Sequence, residues 1–159
     1  IDALEEDITR YLTKMSEKEM GAELSAMHTR LLHACTDIER IGDHGEALAK
    51  DARRMFEDDV KFSEEAKTEL RALGELVMQA SGKAMEALAN NDKVLAQEAW
   101  DICRQVKKAQ KEIRKNHIVR LNEKRCDPVA GFMMMEILIN LKRVSDHSKN
   151  ISQIVLGIF

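Results

Sequence analysis

Residues 37–44 read DIERIGDH, and residues 140–147 read NLKRVSDH. The apolar positions of these two octets coincide, and both octets contain the pattern Arg-x-x-Asp-His. A weaker correspondence lies upstream of each octet, where residues 15–18 read MSEK and residues 121–124 read LNEK. The separation between the copies is too long for a solenoid repeat, so the sequence predicts one multi-helix unit present twice.

The residues around the octets favour helices throughout the chain. Pro128 is the only proline and there are seven glycines, so helix breakers are rare. Apolar residues recur at intervals of three and four, which is the period of a helix face. This period predicts five helices, and the short connections between them predict antiparallel neighbours in an all-α bundle. The predicted helices span about 1–15, 17–56, 64–89, 93–121 and 128–158.

Four sites carry the residue pattern of a helix N-terminus. Ser16, followed by Glu19, has the spacing of a capping box and is expected to begin the second helix. Ser63 and Asp92 are the expected N-caps of the third and fourth helices. Asp127 followed by Pro128 is the clearest boundary, because proline suits the first helical position.

The repeat predicts the organisation of the domain. If the two octets are equivalent, the first two helices correspond to the last two. The third helix is then the first member of a three-helix unit. We therefore expect one domain over 1–159, with a two-helix pseudo-repeat at 1–59 and a three-helix pseudo-repeat at 63–159. The first pseudo-repeat lacks its first helix in this chain. We expect this arrangement to leave an apolar groove along the first two helices, covered by self-association.

Charge and motif content argue against several functional classes. The formal net charge is -3, with acids and bases interspersed, and no basic stripe alternates with aromatic residues. Direct nucleic-acid binding is therefore not expected. No apolar run reaches the roughly 18 residues of a membrane span, so we expect no direct membrane insertion by this chain. We find no nucleophile–base pair, no His-Glu-x-x-His and no glycine-rich phosphate loop, and we expect neither a catalytic residue nor an organic cofactor site.

Carboxylates within the octets are candidate metal ligands. Glu39 and Asp43 are four residues apart and share one helix face, where like charges repel by about a few tenths of a kcal/mol. A bound hard cation would convert this repulsion into coordination. In the second octet Asp146 is the remaining acid, because Lys142 replaces the first one. We expect Lys142 to pair with Asp146 and to oppose a cation there.

The arginines of the octets have a structural interpretation, which we favour over metal binding. Arg40 and Arg143 each lie three residues before an aspartate. If the two octets cross at a pseudo-two-fold axis, each arginine could reach the other octet's aspartate. A bidentate pair of this kind would fix the register of the two helices.

The histidines that end the octets have two interpretations. His44 and His147 could be metal ligands or proton acceptors. Alternatively, each could make a hydrogen bond to the neighbouring helix, and we favour this second interpretation. Arg40, His44, Arg143 and His147 are therefore the predicted structural network between the two octets.

These motifs resemble those of the PhoU family. The resemblance rests on the strings ERIGDH at 39–44, KRVSDH at 142–147 with NI at 150–151, and LGELV at 73–77. It implies an all-α domain of two three-helix units whose third helices carry an acid-x-x-x-Asp motif associated with metal binding. By that resemblance, Glu39 and Asp43 are candidates to hold a divalent or iron-type ion.

A more specific resemblance involves the first octet. DIERIGDH, with ITRYL at residues 8–12 upstream, is similar to the PhoU-type domain at the C-terminal end of sodium/phosphate cotransporter family proteins. It implies a regulatory domain of phosphate transport on the cytoplasmic side of the cell membrane, attached to the membrane transporter portion of its parent chain. The alternatives are a freestanding PhoU-type modulator of an ATP-driven phosphate importer and its sensor kinase, a metal-dependent helical enzyme, and an oligomerisation scaffold without a ligand.

Overall fold

The computed structural model describes residues 1–17 and 19–158. These residues form an all-helical bundle without a strand, as the apolar period predicts. Its elements are α1 (Asp2–Ser16), α2 (Ala22–Glu57), α3 (Glu64–Asn90), α4 (Lys93–Asn122) and α5 (Pro128–Leu156). No helix within this part of the chain is both long and apolar enough to cross a membrane.

Three of the four predicted N-caps are present. The hydroxyl of Ser63 accepts a hydrogen bond from the backbone N–H of Ala66 at 3.2 Å. The carboxylates of Asp92 and Asp127 each accept two backbone N–H bonds, at 2.8 and 3.1 Å in both cases. These side chains satisfy N–H groups that the first turn of a helix leaves without a partner, so the starts of α3, α4 and α5 follow directly from the sequence.

The prediction that Ser16 caps the second helix is wrong. Ser16 is the last residue of α1, and its hydroxyl donates to the carbonyl of Thr13 at 2.6 Å. The N-cap of α2 is Gly21, which makes no side-chain capping bond. Ser16 therefore donates to a carbonyl at the end of α1, and it does not accept from an N–H group at the start of α2.

The core forms where α5 packs against α2, α3 and α4. Its largest cluster combines apolar residues of α3, α4 and α5, with Ile41 and Leu48 of α2 packed against it. Two of the three consecutive methionines at the start of α5 are buried, as helical packing predicts. Buried members of the cluster include Leu73, Val77, Val106, Ile113, Met134, Leu138, Leu141 and Val144.

The α1–α2 pair lies at the periphery of this core. Within the described ranges, α1 packs against α2 alone, and α2 packs only against α1 and α5. Leu24, Met27 and Leu31 follow one another at the spacing of a helix face and are exposed, Met27 by 56%. Leu12 is the one buried residue of α1. The helical period is right, but no described helix covers this face.

A largely buried ion pair joins α3 to α4. The guanidinium of Arg120 donates to a carboxylate oxygen of Glu69 at 2.7 Å, and the side chains are 6% and 20% exposed. The amide of Asn116 donates to the other oxygen of Glu69 at 2.8 Å. The same guanidinium lies 3.9 Å from the sulfur of Met134. Glu69 thus satisfies two polar groups that α4 directs toward α3.

Candidate functional site at the crossing of two helices

The two octets face each other where α2 crosses α5. Nδ1–H of His147 donates to Oδ1 of Asp37 at 2.7 Å, and the amide of Asn150 donates to the same oxygen at 3.1 Å. Asp37 is 8% exposed. A buried carboxylate that accepts two side-chain donors is satisfied, and these bonds anchor α2 to α5.

The same contact recurs with the octets exchanged. Nδ1–H of His44 donates to Oδ1 of Asn140 at 3.0 Å, and Nδ2 of Asn140 donates to Asp51 at 3.3 Å. The rings of His44 and His147 stack with their centroids 5.7 Å apart. Each histidine therefore bonds the residue that begins the other octet, so the two octets have matching settings within helices.

The sequence contained a signal for Asp37 and Asn140, although they were not predicted as site residues. Each begins its octet and precedes the octet's histidine by seven residues. Seven residues are about two helical turns, so the first and last residues of an octet lie on one helix face. A face that carries a histidine at one end and Asp or Asn at the other is self-complementary when two copies cross.

The arginine pairing predicted across the crossing is wrong. Arg40 binds acids of its own helix, at 3.2 Å to Asp43 and 3.5 Å to Glu39. Arg143 is exposed and makes no ion pair with any residue that the structure describes. At 3.6 residues per turn, Arg40 is rotated by roughly 60° from Asp37, away from the crossing. The histidines contact the opposite helix, and the arginines do not.

The predicted acidic pair gains a third member from α1. Carboxylate oxygens of Asp2, Glu39 and Asp43 all lie within 4.8 Å of one another. Nothing in the sequence pattern points to Asp2, because its approach depends on how α1 packs against α2. Three converging carboxylates are oxygen ligands of the kind that hard cations prefer.

The electrostatics of this acidic group are mixed. Burial raises the pKa of Glu39 above its ordinary value, the neighbouring Arg40 lowers it, and the charges of Asp43 and Asp2 raise it further. Arg40 already neutralises part of the group's charge through its contacts with Glu39 and Asp43. A cation would therefore compete with the guanidinium for the same oxygens.

The third predicted ligand, Asp146, does not join this group. It pairs with Lys142 on its own helix, as the sequence predicts, and lies beside Arg104 and Lys149 in a hollow between α4 and α5. The second octet thus provides a lysine–aspartate pair where the first provides two acids. This difference follows from the replacement at position 142.

Comparison with known proteins places these features in a family. The model of a family described as "PhoU domain" matches residues 1–52 and 70–155. The phosphate-specific transport system accessory protein PhoU homolog 1 of Thermotoga maritima is 27% identical over 128 residues, which are 80% of this chain and 54% of that protein. The Pseudomonas aeruginosa homolog is 28% identical over 123 residues, which are 76% of this chain and 49% of that protein. The chain thus spans about half the length of the curated relatives it matches.

A solved structure is similar to the whole fold. The crystal structure of PhoU from Pseudomonas aeruginosa superposes with a TM-score of 0.89 at 21% identity, over 99% of this chain and 75% of that one. The family match includes both octets, and the structure places both at one crossing. On the strength of the family match, the chain belongs to the PhoU family.

Proposed function

We propose that this chain is a regulatory domain of phosphate transport that acts by docking on a transporter. The observation that supports this proposal is the match of the PhoU domain model to residues 1–52 and 70–155. The named relatives are accessory proteins of phosphate-specific transport systems. A role of this kind needs binding surfaces and no catalytic step, so we assign the chain no enzymatic activity.

The transporter we propose is a sodium/phosphate cotransporter, with this domain on the cytoplasmic side of the membrane as part of the same chain. The first octet, with ITRYL upstream, supports this parent. The names of the curated relatives favour the alternative, a freestanding modulator of an ATP-driven phosphate importer. The two candidates differ in the energy source of the transport that they control.

Phosphate uptake distinguishes these candidates. In native cells lacking this domain, we expect altered uptake of labelled phosphate in sodium medium and unchanged uptake after sodium is replaced by choline. Expression of the intact domain should restore the original rate. A change only in sodium-independent uptake would favour the freestanding modulator. Unchanged uptake in both media would refute a role in phosphate transport.

The acidic group is our candidate for a regulatory metal ion. Without metal, Glu39→Gln should stabilise the chain at neutral pH by about a few tenths of a kcal/mol, because it removes a partly buried charge beside two acids. Because the pKa of Glu39 is raised in the native state, the native state binds a proton on Glu39 at a higher pH than the unfolded chain does. Wild-type stability should therefore rise as pH falls through the titration of Glu39, and the advantage of the variant should shrink.

Thermal unfolding with added Mn²⁺ or Fe²⁺ tests metal binding. We expect the metal to raise the Tm of the wild type but not of Glu39→Gln. Glu46→Gln is the matched control, because Glu46 lies on the same helix, is exposed and pairs only with Lys50 among the described residues. If the metal stabilises all three proteins equally, or none of them, the acidic group is not a metal site.

The uncovered face of α1 and α2 is our candidate for self-association. Tyr11 and Met15 of α1 line a hollow with Leu24 of α2, and Leu24 and Met27 line the next hollow along α2. A second copy can cover this face isologously. We expect light scattering coupled to size exclusion to show an average mass that rises with concentration.

The double variant Leu24→Glu/Met27→Glu should be a monomer at every concentration. Met78→Glu is the control, because Met78 is an exposed apolar residue of α3, a helix that packs against neither α1 nor α2 among the described residues. A wild type that stays monodisperse and monomeric over a wide concentration range would rule out this interface.

A further inference from the structure

The groove between α4 and α5 carries a basic strip, which we define by seven cations. Arg104, Lys107, Lys111 and Arg114 follow one another on α4 at intervals of three and four residues, so they share one side of that helix. Three cations of α5 line the same groove. Lys149 lies beside Arg104 and Lys107 in one hollow. Lys142 and Arg143 lie beside Lys111 and Arg114 in the next. The strip follows the groove over two adjacent hollows.

Most of this positive charge has no acidic partner. Arg104 pairs with Asp101, and Lys142 pairs with Asp146. The other five cations make no ion pair among residues 1–17 and 19–158. The chain carries a formal net charge of -3, so this face is positive on a protein that is acidic overall. Charge segregated in this way favours an anionic partner. The five cations of the strip without an ion pair are Lys107, Lys111, Arg114, Arg143 and Lys149.

Exposed apolar side chains continue the strip toward the α4–α5 turn. Ile139 lies among the cations of the second hollow and is 46% exposed. Phe132 precedes it by seven residues, about two turns, and therefore lies on the same side of α5. Ile118 follows Arg114 by four residues on α4. Phe132 and Ile118 are 57% and 48% exposed. The face is thus basic in the middle and mainly apolar at one end, where Glu136 is the acid on this side of α5.

The dimensions of the strip decide which anion it fits. Arg104 and Arg114 are ten residues apart, or about 15 Å along α4. One phosphate ion can contact only a few of these cations at once, whereas an anionic surface contacts all of them. Lysines and arginines attract anionic lipid headgroups, and exposed apolar side chains enter the boundary beneath the headgroups. A lipid surface offers negative charge and an apolar layer together at every point, whereas the backbone of a nucleic acid offers charge alone.

We propose that the basic strip, together with Ile118, Phe132 and Ile139, docks this domain on an anionic phospholipid surface. The contact is peripheral, since no described helix is apolar and long enough to span a membrane. This docking is independent of the proposed role in phosphate transport. It would fix which face of the domain is turned toward the membrane and leave the α1–α2 face free.

Vesicle sedimentation tests this docking with the whole chain. We expect binding to phosphatidylcholine vesicles that contain about one third phosphatidylglycerol, no binding to phosphatidylcholine alone, and loss of binding as NaCl rises from about 50 to 500 mM. Trp100, the single tryptophan, lines the first hollow beside Arg104. Its fluorescence should therefore change on binding.

Two triple variants with the same net charge test whether binding depends on this face or only on the overall charge of the chain. Lys111→Glu/Arg114→Glu/Arg143→Glu should weaken vesicle binding at least about tenfold. The control Arg10→Glu/Arg53→Glu/Arg71→Glu changes three exposed cations on α1, α2 and α3 and should bind nearly as well as the wild type. Phe132→Ser should weaken binding and leave its salt dependence unchanged.

Several results would overturn the proposal. They are the absence of binding to anionic vesicles at low salt, equal binding to neutral vesicles, and equal loss in both triple variants. Competition by millimolar inorganic phosphate at constant ionic strength would identify a site for free phosphate instead. Binding to polyglutamate or to duplex DNA without binding to vesicles would identify an acidic protein or a nucleic acid as the partner.

Discussion

Asp37→Ala is expected to destabilise the chain by about 2–4 kcal/mol. The substitution removes the one oxygen that accepts from both His147 and Asn150. Each donor is partly buried, and a buried donor without a partner costs about 1–3 kcal/mol. Urea denaturation followed by the fluorescence of Trp100 and by circular dichroism measures the loss.

Two variants calibrate this result. Asp51→Ala removes the carboxylate that accepts from the amide of Asn140. This bond is longer, at 3.3 Å, and its loss should cost about 1 kcal/mol. Glu46→Ala, on the exposed face of the same helix, should stay within about 0.5 kcal/mol of the wild type. If Asp37→Ala costs no more than Glu46→Ala, the crossing does not hold the two helices together.

Glu69→Ala is expected to have the largest effect, a loss of about 3–5 kcal/mol. It leaves the buried guanidinium of Arg120 without its carboxylate and the amide of Asn116 without its acceptor. Removing one partner of a buried ion pair costs this much, because the remaining charge stays desolvated. Thermal and chemical unfolding both report the change.

The double variant Glu69→Ala/Arg120→Met isolates the cause. Methionine removes the buried charge and can pack against Met134, which the guanidinium approaches at 3.9 Å. We expect the double variant to regain much of the lost stability, since apolar replacements of buried ion pairs are often neutral or stabilising. A double variant as unstable as Glu69→Ala would assign the loss to packing instead of charge.

Helix boundaries were predictable where a side chain determines them. Ser63, Asp92 and Asp127 cap helices through their own oxygens, and this preference is local in sequence. Gly21 is the N-cap of α2 and makes no side-chain capping bond, so the nearest capping pattern, at Ser16, led to a wrong prediction. Leu24 and Met27 have the spacing of a buried face, and it is the repeat, which leaves the first unit without its first helix, that predicts an uncovered groove there.

The candidate site was predictable in part for the same reason. The repeat places His44 and His147 at equivalent positions, and helical periodicity adds Asp37 and Asn140 to the same faces. The pairing of Arg40 across the crossing was predicted wrongly, because Glu39 and Asp43 of its own helix are within its reach and already bind it. Asp2 joins Glu39 only through the packing of α1. The basic strip was hidden because Glu112 stands between its cations in the sequence, although helical geometry places it on another side of α4.

The attachment of α1 has a consequence for amide hydrogen exchange. Because α1 contacts α2 alone among the described helices, it can separate without disturbing the cluster that α3, α4 and α5 share. Its amides should exchange through this partial opening, at a free energy below that of global unfolding. Helix α1 is therefore the segment whose detachment a partner could stabilise while the rest of the bundle stays intact.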